Sequence, residues 1–364
     1  MFFDREEEQK RLFNILNTEP SLLYFIYGPI NSGKTNLINK ILSELPSPAI
    51  PFYVNLRGSD ISSSDDFLNV LFRVDRKSRL ENAKDYLKEI SKGGAGLVKS
   101  VTGIPVPASI FDLLFRSKDK GEDAFKYLED FFTSLVNDKN MKPVFVIDEI
   151  QMIRGIANSQ GKPVIEKLFN FLVRMTKETH LCHCLSVTSD SLFIEQIHGH
   201  ARLEGRSEYL LIDDLDKKRS FDVYEKFGLT DKESVWNHIG GKFGDMVILQ
   251  SKIRQGFSLP EALETMVRAG TARLESIDGR LFREDPQNCQ KMIDFLFRIN
   301  KEESIQFRER LMWNEVFFWV NENILFLDPV TRIVKPQGHL IRKAVSMFLK
   351  NMEHAEDGSP APII

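Results

Sequence analysis

The chain has 364 residues, 42% hydrophobic and 28% charged, with 28 phenylalanines and a formal charge of −3. That length exceeds what one hydrophobic core usually serves, so two or three domains are expected, and the composition excludes a wholly disordered chain. No apolar run reaches the roughly 18 residues a membrane helix needs, the acidic start MFFDREEEQK is unlike a signal peptide, and Cys182, Cys184 and Cys289 give no disulfide framework, so a cytoplasmic protein without membrane contact is expected.

In chain order, a polar helix begins near Glu6 and the apolar run Leu22–Gly28 reads as a strand, followed by a helix over Lys34–Leu45. Between them, GPINSGKT (28–35) satisfies Gly-x-x-x-x-Gly-Lys-Ser/Thr in the strand-to-helix setting that its chemistry requires. Gly28 and Gly33 let backbone amides curl around a phosphate, and Pro29, Ile30, Asn31 and Ser32 complete the loop. Lys34 reaches the β- and γ-phosphates, Thr35 ligates magnesium, and Asn36 closes the nucleotide-binding set.

A second strand reads as Ile50–Leu56 and a third as Val144–Asp148, both continuously apolar, as strands buried on both faces of a parallel sheet are. The connection between them, about 85 residues, is unusually long; Leu97–Val106 within it reads as a hairpin or loop, and the whole as a decorated crossover or a partner-sensing element. Helices follow at Gly121–Val136 and Pro163–Lys177. The third strand ends in Asp148-Glu149, where Asp148 would hold magnesium through water and Glu149 would polarise the attacking water, with Gln151 close behind.

HLCHC (180–184) packs its potential ligands into one run without a second cluster, so it reads as the entry to a fourth strand, Cys184–Thr188, and not as a metal site. Beyond that strand, Ser189 is the candidate γ-phosphate sensor, although Ser and Asp here also suit the cap of a helix over Ser191–Ile197. Arg206, preferred over Arg202, precedes a fifth strand, Tyr209–Ile212, and is the candidate arginine finger, acting in its own subunit or a neighbour's.

From Asp216 to Ser276 the pattern is helical, broken by GGKFG near Gly240. After Asp278 come three short helices, a hairpin turning at Asp328-Pro329 and a final helix to about Lys350, an order that suits a winged helix. The fold class is therefore α/β, a P-loop NTPase of ASCE or AAA+-like type with a parallel sheet, a helical lid and a C-terminal winged helix. The expected division is an ATPase domain over 1–215, a lid over 216–276, a winged helix over 277–354 and a disordered tail over 355–364.

The order FFDREEEQKRL, GPINSGKT, VFVIDEIQ, SVTSD and EGR before a strand resembles the archaeal ATPase family, P-loop proteins related to the AAA+ and STAND ATPases. The resemblance covers most of the first 255 residues and extends loosely to the winged helix. It implies that Phe3 and Arg5 lie near the adenine, and that lid and winged helix shift between nucleotide states. STAND proteins carry Gly-x-Pro in the lid; here Gly240-Gly241-Lys242-Phe243 lacks the proline.

Three functions stand beside each other. The leading one is an ATP-binding and ATP-hydrolysing switch, a magnesium-dependent ATPase that is slow until a homo-oligomer or a protein partner at the winged helix completes it. The second is a DNA-binding ATPase of replication, repair or a mobile element, but residues 278–350 carry 12 Lys and Arg against 10 Asp and Glu, too even for a strong phosphate footprint. The third is a nucleotide-dependent scaffold with little turnover. No Asn-Lys-x-Asp guanine-reading motif occurs, so the ligands are read as ATP and ADP. Trp313, Phe317 and Trp319 are expected in the core.

Overall fold

The computed structural model describes residues 5–75, 103–116, 120–158, 161–199 and 201–356. Phe3, most of the Leu97–Val106 segment and the tail beyond 356 lie outside the described residues. Chain contacts divide the molecule into two units. The first holds Met1–Tyr27, Lys34–Ser189 and Gln196–Leu211; the second holds Gly28–Gly33, Asp190–Glu195 and Ile212–Ile364. Among the described residues, no helix is long and apolar enough to cross a membrane.

The first unit is built on β1 (Leu23–Tyr27), β2 (Ala49–Asn55), β3 (Phe72–Asp75), β4 (Ile104–Pro107), β5 (Lys142–Asp148), β6 (His183–Val187) and β7 (Ser207–Leu211). Five of these form one sheet in the order β2-β5-β6-β1-β7, every neighbouring pair parallel. The continuous apolarity read for the third strand has this cause, since every residue of β5 after Lys142 is buried, whereas β2 leaves Ala49, Tyr53 and Asn55 partly exposed. Helices α1 (Glu6–Leu16), α2 (Lys34–Ser43), α3 (Ser64–Leu71), α4 (Ala108–Arg116), α5 (Lys120–Lys139) and α6 (Val164–Val173) accompany the sheet, and α7 (Ser191–His198) follows β6.

Aromatic side chains fill the layers. Phe25 meets the edge of Phe169 and stacks on Tyr209, while Phe52 packs edge-on against Phe131 and Phe132 from α5. His183, Cys182 and Cys184 are buried; His183 Nε2 lies 3.1 Å from the Thr18 carbonyl oxygen and Cys182 Sγ donates to the His183 carbonyl, so this run closes the start of β6. The segment expected to be a hairpin or loop ends differently. Its last residues form β4, which pairs in parallel with β3, and parallel neighbours need a crossover where a hairpin would give an antiparallel pair.

In the second unit, helices α8 (Lys217–Lys226), α9 (Lys232–Ile239) and α10 (Phe243–Arg254) precede the 26-residue α11 (Leu259–Glu284). Ser258 and Glu261 form a capping box that starts α11, and the helix runs on through residue 276 without a break. Next come α12 (Pro286–Glu302), β8 (Ile305–Gln306), α13 (Glu309–Asn321, kinked at Met312), β9 (Leu325–Asp328), β10 (Ile333–Pro336) and α14 (His339–Glu356), the last reaching past the expected helix end. The hairpin strands β9 and β10 pair antiparallel, and Asp328 accepts from Val330 N and the Thr331 hydroxyl to hold the turn. Trp319 is fully buried in this unit's core, whereas Trp313 is partly buried and Phe317 is 39% exposed, so only the first meets the core expectation in full.

Candidate functional site

Because all five strands run parallel, their carboxyl ends share one edge, where α/β sheets place ligands. β1 ends there in the Gly28–Gly33 loop, β5 in Asp148-Glu149, and β6, between them, in Thr188.

Asp148 is 1% exposed and accepts at both carboxylate oxygens. Its Oδ1 accepts from the Glu149 amide at 2.9 Å, and its Oδ2 accepts from the Thr35 hydroxyl at 2.9 Å and the Tyr53 phenol at 2.7 Å. A buried carboxylate tolerates removal from water only with donors of this kind. Burial, then the hydrogen bond and charge of Asp148, push the Tyr53 phenol well above its usual range, so it remains a donor.

Glu149 takes left-handed backbone angles, φ +60°, a conformation uncommon for a residue with a side chain. Its carboxylate is held at both oxygens: Arg57 Nη2 lies 2.6 Å from Oε1, and Gln151 Nε2 donates to Oε2 at 2.5 Å. Gln151 is in turn oriented by Thr188, whose hydroxyl donates to Gln151 Oε1 at 2.7 Å. The residue at the end of β6 that bonds to Gln151, the partner of Glu149, is therefore Thr188. Ser189, half-buried, is the next residue and is not part of this line of bonds.

Lys34 is buried at the start of α2, with Thr35 beside it and Asn36 exposed. Arg5 is buried, caps α1 in a left-handed conformation and pairs with Glu8 at 2.9 Å. Arg206 lies just before β7 and its carbonyl accepts from Leu23 N at the amino end of β1, the sheet edge opposite Asp148, which disfavours the same-chain form of the arginine finger and leaves the neighbour's. Arg202 pairs with Glu166.

The loop itself is curled by positive φ at Asn31 (+60°) and Gly33 (+96°). At Gly28 a side chain is excluded outright, since a β-carbon there would lie 2.2 Å from the Ile212 carbonyl oxygen. Three backbone groups of the loop are bonded within the second unit. Lys242 Nζ donates to Ile30 O at 2.9 Å, Gly244 N donates to Asn31 O at 3.1 Å, and Ile30 N donates to Gln337 Oε1 at 3.3 Å. Sequence reasoning missed Lys242 and Gln337; the departure of GGKFG from Gly-x-Pro was the signal for the first, and nothing marked the second.

Comparison with known proteins agrees with this geometry. Residues 2–249 match the family model described as "ATPase domain predominantly from Archaea", and residues 261–349 match "Uncharacterized ATP-binding protein MJ1010-like, C-terminal domain". The chain belongs to the archaeal ATPase-domain family. An uncharacterized ATP-binding protein of Pyrococcus abyssi is 36% identical over 97% of this chain and 100% of its own length. One from Methanocaldococcus jannaschii is 35% identical over 96% and 100%. The Aeropyrum pernix ORC1 protein, solved in complex with DNA, is similar at 14% identity and a TM-score of 0.43, over 98% of this chain and 94% of that one, too distant to carry an argument.

In this member of the archaeal ATPase family the GGKFG turn is electrostatically loaded. Lys242, 4% exposed, pairs with Asp214 at 3.2 Å, and Asp245 is 8% exposed. Burial, offset by Lys242 and reinforced by Asp214, raises the Asp245 carboxyl from 3.8 to about 6. A raised folded-state value means that the folded form holds its proton longer than the unfolded chain does. The contribution is present below pH 3.8 and is lost as pH rises through about 6. Asp245→Asn is therefore expected to raise stability at pH 7.5 by on the order of 2 kcal/mol, with the gain fading towards pH 4. Urea midpoints across that range measure it, and a gain that grows towards acid would overturn the assignment.

Proposed function

We propose that the protein is a magnesium-dependent ATPase used as a molecular switch. The observation that carries this reading is the 2.9 Å bond from the Thr35 hydroxyl to Asp148, which joins the two motif residues 113 positions apart at the carboxyl edge of the sheet. A hydroxyl and a carboxylate are the hard oxygen donors that magnesium prefers, so Thr35 and Asp148 fit that ion. When bound, magnesium would neutralise phosphate charge and act as a Lewis acid. Lys34 would add a second cation, the backbone N–H groups of the 28–33 loop would donate to the phosphate oxygens, and the amino end of α2 would contribute its partial positive charge.

Glu149 would take a proton from the attacking water, but its Oε1 and Oε2 are occupied by Arg57 and Gln151. Each oxygen keeps a second lone-pair direction for water, but the Arg57 guanidinium competes with the water's proton for Oε1, and Arg57, 64% exposed, is the partner that can turn to solvent at least cost. This supports slow turnover until another molecule moves Arg57 or supplies the arginine that Arg206 does not supply in its own chain. Sequence order and shape support reading α8–α10 as a lid and the β8-β10-β9 sheet with α12–α14 as a winged helix that moves with the nucleotide state.

The DNA-binding alternative is less well supported. The hairpin cations are already engaged, Arg332 with Glu195 and Lys335 with Asp213 at 2.5 Å, and bound cations release few counterions from DNA. A homo-oligomer or protein partner suits the exposed Leu311 and Phe282 better. The test is steady-state ATP hydrolysis with magnesium across protein concentration, with and without duplex and single-stranded DNA. Turnover that rises with concentration and ignores DNA is expected. Stimulation by DNA would favour the alternative, and tight ATP binding without turnover at any concentration would leave a nucleotide-dependent scaffold.

A further inference from the structure

Asp148 has one donor more than the nucleotide-site reading accounts for. The Glu149 amide and the Thr35 hydroxyl follow from the two motifs; the Tyr53 phenol, from the neighbouring strand β2, does not. We infer that Tyr53 is a positioning residue that fixes Asp148 for water-mediated contact with a divalent cation, an inference that rests on the magnesium site proposed above.

A carboxylate offers about four lone-pair directions, two on each oxygen. On Oδ2 both are filled by the hydroxyls of Thr35 and Tyr53, and on Oδ1 one is filled by the Glu149 amide. Asp148 thus keeps one free direction, too few for bidentate coordination, while the Thr35 oxygen still has lone pairs of its own. Magnesium gives up its waters reluctantly and is commonly bound with several of them in place, so an acid locked in this way suits it. Calcium, which takes six to eight oxygens and often a bidentate carboxylate, is served less well.

Tyr53 is itself held. In the β2–β5 register Asn55 lies opposite Asp148, and Tyr53, two residues back on the same face, leans along the strand to reach the carboxylate. Asn55 Nδ2 donates to the phenol oxygen at 3.3 Å, and the Tyr53 carbonyl accepts from Gly103 N at 2.9 Å, which ties the strand to the start of β4. Packing alone would be met by phenylalanine, as it is next door at Phe52. The hydroxyl is the part that needs another reason.

The test removes that hydroxyl and reads binding. In a Glu149→Gln background, where hydrolysis is suppressed, the affinity of a fluorescent ATP analogue is titrated against magnesium. Tyr53→Phe is expected to raise the half-saturating magnesium concentration about 10-fold, as loss of a partner that orients a metal ligand typically does, with affinity in EDTA unchanged. Asn55→Ala, which keeps the phenol but loosens it, should move the midpoint the same way by less, and serves if Tyr53→Phe fails to fold. Coincident magnesium curves, or an equal loss of affinity in EDTA, would overturn the inference. Asp148→Asn separates the two layers: if it too leaves the magnesium response unchanged, the magnesium-site reading itself is at fault.

Discussion

Glu149→Gln is expected to lower ATP turnover by about 10²- to 10⁴-fold while ATP affinity stays within a few-fold of the parent. Glutamine keeps the shape of the side chain and can still meet Gln151, but it cannot take a proton from water. What is lost structurally is the pairing with Arg57, and because Arg57 is 64% exposed the stability cost should be small. Asp148 is untouched, since its Oδ1 bonds to the residue-149 amide and not to the side chain. Single-turnover hydrolysis and equilibrium binding, measured on the same preparations, separate the two effects. Turnover within threefold of the parent would exclude Glu149 as the base, and a matching loss of binding would mean that the left-handed turn at 149 had collapsed.

Trp319→Ala should be the most damaging single change to the second unit, costing about 3–5 kcal/mol. The indole is fully buried, meets Phe318 edge-on with ring centres 4.9 Å apart, and donates from Nε1 to the Met292 carbonyl at 3.0 Å. Truncation therefore opens a cavity and removes the indole's bond to the Met292 carbonyl. The chain has three tryptophans, at positions 236, 313 and 319, all within the second unit, so intrinsic fluorescence follows that unit and not the sheet. Denaturation followed by the two remaining indoles gives the midpoint. A shift worth less than about 1 kcal/mol would mean that the core repacks around the gap.

Strands β1 and β5 were legible because strands buried on both faces leave continuous apolar runs, and the Thr35–Asp148 meeting was legible because two motifs each demanded a strand end. β3 and β4 escaped notice for the opposite reason. Each has four residues, and IPVP carries two prolines that read as a breaker. Only the same-chain half of the Arg206 expectation is set aside by its place at the amino end of β1, because proximity to a strand in sequence does not say which end of the strand faces the site. Thr188 and Ser189 differ by one residue at a strand end, and alternation of side chains puts only one of them beside Gln151. Tyr53, Arg57, Lys242 and Gln337 reach their partners across 95, 92, 212 and 307 positions, and no local pattern encodes separations of that kind.

The three backbone bonds that Lys242, Gly244 and Gln337 make to Ile30 and Asn31 have a thermodynamic corollary. Any ligand that stabilises a loop shape incompatible with them works against them, and any molecule that draws Gln337 away from Ile30 relieves such a ligand of that same work. Reciprocity then requires the two affinities to change by one common factor, whatever path connects them. For a binder raised against the surface around Gln337, the ratio of its dissociation constants with and without ATP would equal the ratio for ATP with and without the binder.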